Sequence, residues 1–139
     1  MNFPIISAGA IVFLAFIAHT VVGRREALST RPPQTPAEDS DAAAVTIERN
    51  WVQLLCAFQL VTVDLLVLSV FLLVLGTTDL IPARREFALF GAGFFTLWGI
   101  AWLVQLLVLR RHRKDYLLLG QWAFWFVCAG LLLWGAQLL

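Results

Sequence analysis

Four stretches of this chain are almost free of charge and run for about 20 residues or more, the length that crosses a ~30 Å hydrocarbon core as a helix. They are Phe3 to Val22, Trp51 to Leu75, Phe87 to Leu109 and Tyr116 to Leu139. No other feature restricts the fold as much. Lipid offers no partner to a backbone N–H or C=O, so a span must be a helix or part of a closed barrel. The alternating pattern of a barrel strand is absent. Charged residues make up 14% of the chain, against about 25% in soluble domains, which excludes a soluble domain with a large core. The expected fold is all-α: an integral membrane antiparallel four-helix bundle, one domain over residues 1–139, with short links between neighbouring helices.

No Lys or Arg precedes the first run, which exceeds the core of a secretory signal, so it is expected to remain as a helix. The loop after it holds "STRPPQTPAEDSD". Proline and alternating charge leave that strip too little apolar surface to fold alone, and a disordered loop is expected over about 24–41. Asp39, Ser40 or Asp41 is placed to cap a helix starting in "AAAVTIERNW".

Charge placement gives an orientation. The first loop holds Arg24, Arg25, Arg31 and Arg49, and the third holds Arg110, Arg111, Arg113 and Lys114. The second has only Arg84 and Arg85, and the tails have none. The positive-inside rule puts the first and third loops in the cytoplasm and both termini outside. The basic cluster "RRHRKD" also suits anionic headgroups, so Arg110, Arg111, Arg113 and Lys114 are assigned to lipid contact and topology.

The candidate chemistry lies inside the runs. Asp64 sits in "QLVTVDLLVLSV", where an ionised aspartate costs about 2.5–3.5 kcal/mol on the insertion scale. At helical spacing Asn50, Gln53, Ala57, Leu60 and Asp64 share a stripe, expected to face the bundle. Thr62 and Ser69 fall nearly opposite, able to bond back to helix carbonyls. At similar depth lie Thr96, Trp98 and Gly99 on the third run and Trp125 and Cys128 on the fourth. Trp98 or Trp125 offers an indole N–H to the carboxyl. Asp64 then has three readings: a neutral hydrogen-bonding group that fixes packing, a group paired with another subunit, or a proton or cation site.

His19 lines up with Ala8, Val12 and Ala15, a stripe suited to close helix approach. Counting from the span ends places it beside Gln53 and Asn50, about ten residues, or ~15 Å, from Asp64 in depth. Ala88, Ala92, Thr96 and Gly99 form a second stripe of small residues, and Gln121, Trp125, Cys128 and Gly135 share a face of the fourth run. Of six tryptophans, Trp98, Trp102, Trp122, Trp125 and Trp134 fall on the last two runs, more than membrane interfaces need, which points to packing or a protein contact surface.

No catalytic motif, metal-ligand cluster or cofactor fingerprint is present, and the basic surface is too small for nucleic acid. The expectation is therefore no enzyme, no cofactor, no metal and no nucleic acid. The segment "HTVVGRREAL", with His19, Gly23 and Arg25 followed by Trp51 at the head of the second run, resembles small uncharacterised bacterial four-span inner-membrane proteins. Those carry His-x3-Gly-x-Arg after the first span; here Val52 follows Trp51 where they have a histidine. The resemblance implies a small four-span protein of the bacterial inner membrane and no particular activity. Together these readings favour an accessory or structural subunit acting through contacts with the bilayer, with itself or with another membrane protein. The alternative is a small proton- or cation-coupled transporter or channel using Asp64.

Overall fold

The computed structural model describes residues 1–33, 42–110 and 112–139. Among them the chain is helical, with no strand. Helix α1 (Phe3–Ala18) continues through a π-helical turn (His19–Gly23) into α2 (Arg24–Ser29), making one rod over Phe3–Ser29. Helix α3 (Ala42–Thr77) follows, then α4 (Arg84–Val108), the short α5 (Arg113–Leu118) and α6 (Gln121–Gln137). Among the described residues three helices are long and apolar enough to cross a membrane: Phe3–Ser29, α3 and α4. Helix α6 is apolar and has 17 residues, the short end of the spanning range.

Local chemistry sets the helix ends. The Asn2 side chain caps α1 by accepting from the Ile5 N–H at 3.2 Å, and Pro4 sits in the first turn, where its missing N–H is no loss. Ala83 turns the chain into α4 from a left-handed conformation, φ 55°. Beside it Arg84 donates through Nε to the Leu75 carbonyl at the end of α3, 3.1 Å away, and pairs with Asp79. The charge of Arg84 is thus used to close the α3–α4 turn.

Two antiparallel hairpins make up the bundle. Helix α3 packs on α1, α4 packs on α6, and α1 lies against α6 to join the pairs. The small-residue stripes drive these approaches, as expected. Ala8 and Val12 are fully buried on α1, and Ala88 and Ala92 are buried on α4. At the end that holds the start of α1, three helices meet on Asn2. Its backbone N–H donates to the Gly76 carbonyl at 2.8 Å, and its side-chain amide donates to the Gly135 carbonyl at 2.8 Å. A methyl group on Gly135 would come within 2.5 Å of Ile5 and 2.8 Å of the Asn2 side-chain oxygen, so only glycine permits this contact.

The helix limits differ from expectation. The start of the loop expected over 24–41 is helical, because Arg24–Ser29 extends the first rod; residues 34–41, including the candidate caps Asp39, Ser40 and Asp41, lie outside the described residues. Helix α3 does begin in "AAAVTIERNW", at Ala42. The fourth run is interrupted near Leu119 and Gly120, so α5 and α6 replace a single helix from Tyr116.

Candidate functional site: a cleft at His19 and an outward carboxylate

The bundle is tight at the Asn2 end and opens at the other. Beyond Leu65 and Trp125 the hairpins diverge, leaving a cleft of about 950 Å³. Its walls come from α1 and the π-helical turn, from α2, from Leu54, Phe58 and Val61 of α3, from Trp102 of α4, and from Phe124 and Trp125 of α6. They are mostly apolar, with Glu26, Thr30 and Gln121 as polar exceptions beside His19.

His19 opens the π-helical turn. Single π turns within helices recur at functional sites because they re-aim side chains. Here the imidazole stacks on Phe58, ring centroids 3.8 Å apart and 12° from parallel. Its Nδ1 lies 3.0 Å from the Thr62 hydroxyl, which itself donates to the Phe58 carbonyl at 3.1 Å. A hydroxyl has one proton to give. With that proton on the Phe58 carbonyl, the neutral ring carries its own proton on Nδ1 and donates it to Thr62. The Nε2 lone pair is then left to accept. The ring lies flat because Gly23 makes room for Phe58: a methyl group on Gly23 would meet that ring at 2.8 Å.

This contact corrects the expected pairing of His19 with Gln53 and Asn50. Counting from span ends ignored the extension of the first rod to Ser29. Asn2 pairs with Gly76, and Trp51 donates its indole N–H to the Ala27 carbonyl at 3.3 Å. That register sets His19 against Thr62, nine residues beyond Gln53 (62 − 53 = 9). In depth His19 is therefore close to Asp64, not ten residues from it, but the two lie on different sides of α3.

Asp64 itself is exposed on the outside of the described bundle, as are Asn50, Gln53 and Leu60, while Ala57 is exposed at the edge of the cleft. The expectation that this stripe faces inward is overturned. Helix α3 turns its Thr62 and Ser69 side to α1. These side chains are small, and their hydroxyls bond within their own helix, Thr62 to Phe58 and Ser69 to Leu66 at 2.8 Å, as anticipated. They allow close packing without stranding a polar group. Asp64 lies nearly opposite that face, roughly 150° round the helix at the 3.6-residue period.

The proposed indole partners are elsewhere. Trp125 stacks on Phe95 at 5.5 Å and stands edge-on to Trp98 at 4.6 Å, within an aromatic cluster between α4 and α6. Thr96 donates to the Ala92 carbonyl at 2.8 Å, and Cys128 is fully buried in the core. None of these side chains is brought to Asp64. In the basic cluster Arg110 and Lys114 are exposed, Arg111 lies outside the described residues, and Arg113 begins α5. Two further tryptophans brace the α5 region: Trp102 donates to the Leu119 carbonyl at 3.1 Å and Trp122 to the Tyr116 carbonyl at 2.8 Å.

Sequence reasoning passed over Phe58, Thr62 as a histidine partner, and Asn2. Phe58 had no usable signal, since its place opposite Gly23 depends on the register of the two helices. Among the described residues no group of three metal-binding side chains occurs. Compared with family models, with characterised proteins and with solved structures, the chain matches none.

Proposed function

We propose that the chain is a small accessory or structural subunit of a bacterial inner membrane, spanning four times and acting through helix–helix contacts with itself or a larger membrane complex. Both termini lie outside, and the first and third loops lie in the cytoplasm. Helix α6 supplies the fourth span, short but apolar throughout. The second loop, with Arg84 and Arg85 against four basic residues in each of the other two, is the minor exception to the charge rule that sets this orientation.

One observation carries the reading: Asp64 is exposed on the outer face of α3, between Val63 and Leu66, which are also exposed. A carboxyl group facing hydrocarbon costs about 2.5–3.5 kcal/mol on the insertion scale, so a polar group from a neighbouring protein relieves a standing penalty. Asn50 and Gln53 extend the same outward stripe towards the cytoplasmic end. The test is the assembled mass in lipid nanodiscs and the crosslinking of a Leu60→Cys variant, each with and without Asp64→Leu. Assembly that depends on Asp64 supports the subunit reading; a monomer that copurifies with no membrane partner overturns it.

The same carboxyl has no hydrogen bond among the described residues, which favours a second reading, a proton or cation site lining a path between subunits. Flux into proteoliposomes that is lost in Asp64→Asn at unchanged assembly would select it.

A further inference from the structure

The cleft at His19 meets the Asp64 stripe only at Ala57, and its chemistry is specific. Its bulk is apolar and aromatic, with Phe58, Trp102, Phe124 and Trp125 among its walls, which suits a flat ring. Its volume of about 950 Å³ falls within the range of small-molecule sites. The exposed Leu54 and Ala57 border it on α3, so a membrane-dissolved molecule can enter from the side.

The polar groups select the head of that molecule. With the Thr62 proton given to the Phe58 carbonyl, a neutral His19 donates from Nδ1 to Thr62 and presents Nε2 as an acceptor. Glu26, also on the cleft wall, is acceptor-only when ionised. The Thr30 hydroxyl is already committed to the Ala27 carbonyl at 2.8 Å. Gln121 offers N–H donors from its side chain, and the Trp125 indole on the same wall offers another. The histidine ring is held in place by a hydrogen bond on one side and a stacked ring on its face.

We infer that this cleft binds a lipophile with an aromatic hydroxyl head, a phenol or hydroquinone on an apolar tail, whose hydroxyl donates to Nε2 of His19. The ring lies among the aromatic walls and the tail runs towards the lipid beside Leu54 and Ala57. A head without a hydroxyl proton leaves the histidine lone pair unmatched.

The test uses 4-heptylphenol and its methyl ether, which share shape and tail and differ in the hydroxyl proton. Binding is measured as retention by nanodiscs holding the full chain, above retention by empty nanodiscs of the same lipid. The phenol should bind about five- to tenfold more tightly than the ether, the scale of one hydrogen bond. His19→Phe keeps the stacked ring and should reduce the phenol to the level of the ether. Ala18→Phe, which fills the cleft from an exposed position on α1, should remove both. Should His19→Phe fail to fold, judged by helicity and tryptophan emission, the phenol–ether difference in the wild type and the Ala18→Phe result still decide the matter. Equal affinity for phenol and ether, or no retention above empty nanodiscs, overturns the inference.

Discussion

The side-chain amide of Asn2 donates to the Gly135 carbonyl at 2.8 Å, across 133 positions of sequence. The same residue donates its backbone N–H to the Gly76 carbonyl, and its side-chain oxygen accepts from the Ile5 N–H. One buried side chain thus ties the start of α1 to the ends of α3 and α6.

Replacing Asn2 with Leu should cost about 1–3 kcal/mol, because a buried carbonyl and a helix N–H each lose a partner. Reversible unfolding in mixed detergent micelles reads this directly. A loss below the error of that measurement would mean that water satisfies both groups.

Gly135→Ala should destabilise by a similar amount, about 1–3 kcal/mol, through overpacking against Ile5 and Asn2. The combined variant Asn2→Ala with Gly135→Ala should lose less than the sum, since both changes break the same junction. Strict additivity would show that the contacts are energetically separate.

Arg84 and Asp79 form an ion pair, but the partners are unequal. The Asp79 side chain is 91% exposed and that of Arg84 17%. Exposed pairs contribute little, so Asp79→Asn should leave the thermal midpoint almost unchanged. Arg84→Gln should lower it clearly, because the Leu75 carbonyl loses its donor. Equal effects would place the energy in the ion pair instead.

Ala83 holds φ 55° without being glycine. That conformation costs a side-chain-bearing residue roughly 1–2 kcal/mol, and glycine gives back part of the gain through its freer unfolded chain. Ala83→Gly should therefore stabilise modestly, by about 0.5–1 kcal/mol. A destabilised Ala83→Gly would show that the methyl group makes a contact worth more than the strain.

Much of the architecture is legible in the residues. The apolar runs mark the helices. The stripes of Ala8 and Val12, and of Ala88 and Ala92, mark the faces that pack. Register is not legible, because a helix that runs past its apolar segment, as the first rod does to Ser29, shifts every cross-helix pair. That shift moved the partner of His19 from Gln53 to Thr62. The direction of Asp64 is not legible either, for another reason. Burial cost says where a lone carboxyl should avoid lying, but the α1–α3 contact is decided by which face packs closest, and Thr62 and Ser69 win it. The cleft has no signature in sequence, since it arises from two hairpins diverging.

The double duty of Asn2 also orders assembly in time. Its backbone partner Gly76 is made before its side-chain partner Gly135 during synthesis. The α1–α3 hairpin can settle early with its amide still unanswered, and that amide keeps a vacant socket for a helix not yet translated. Insertion of α6 then closes the bundle at the place where it began.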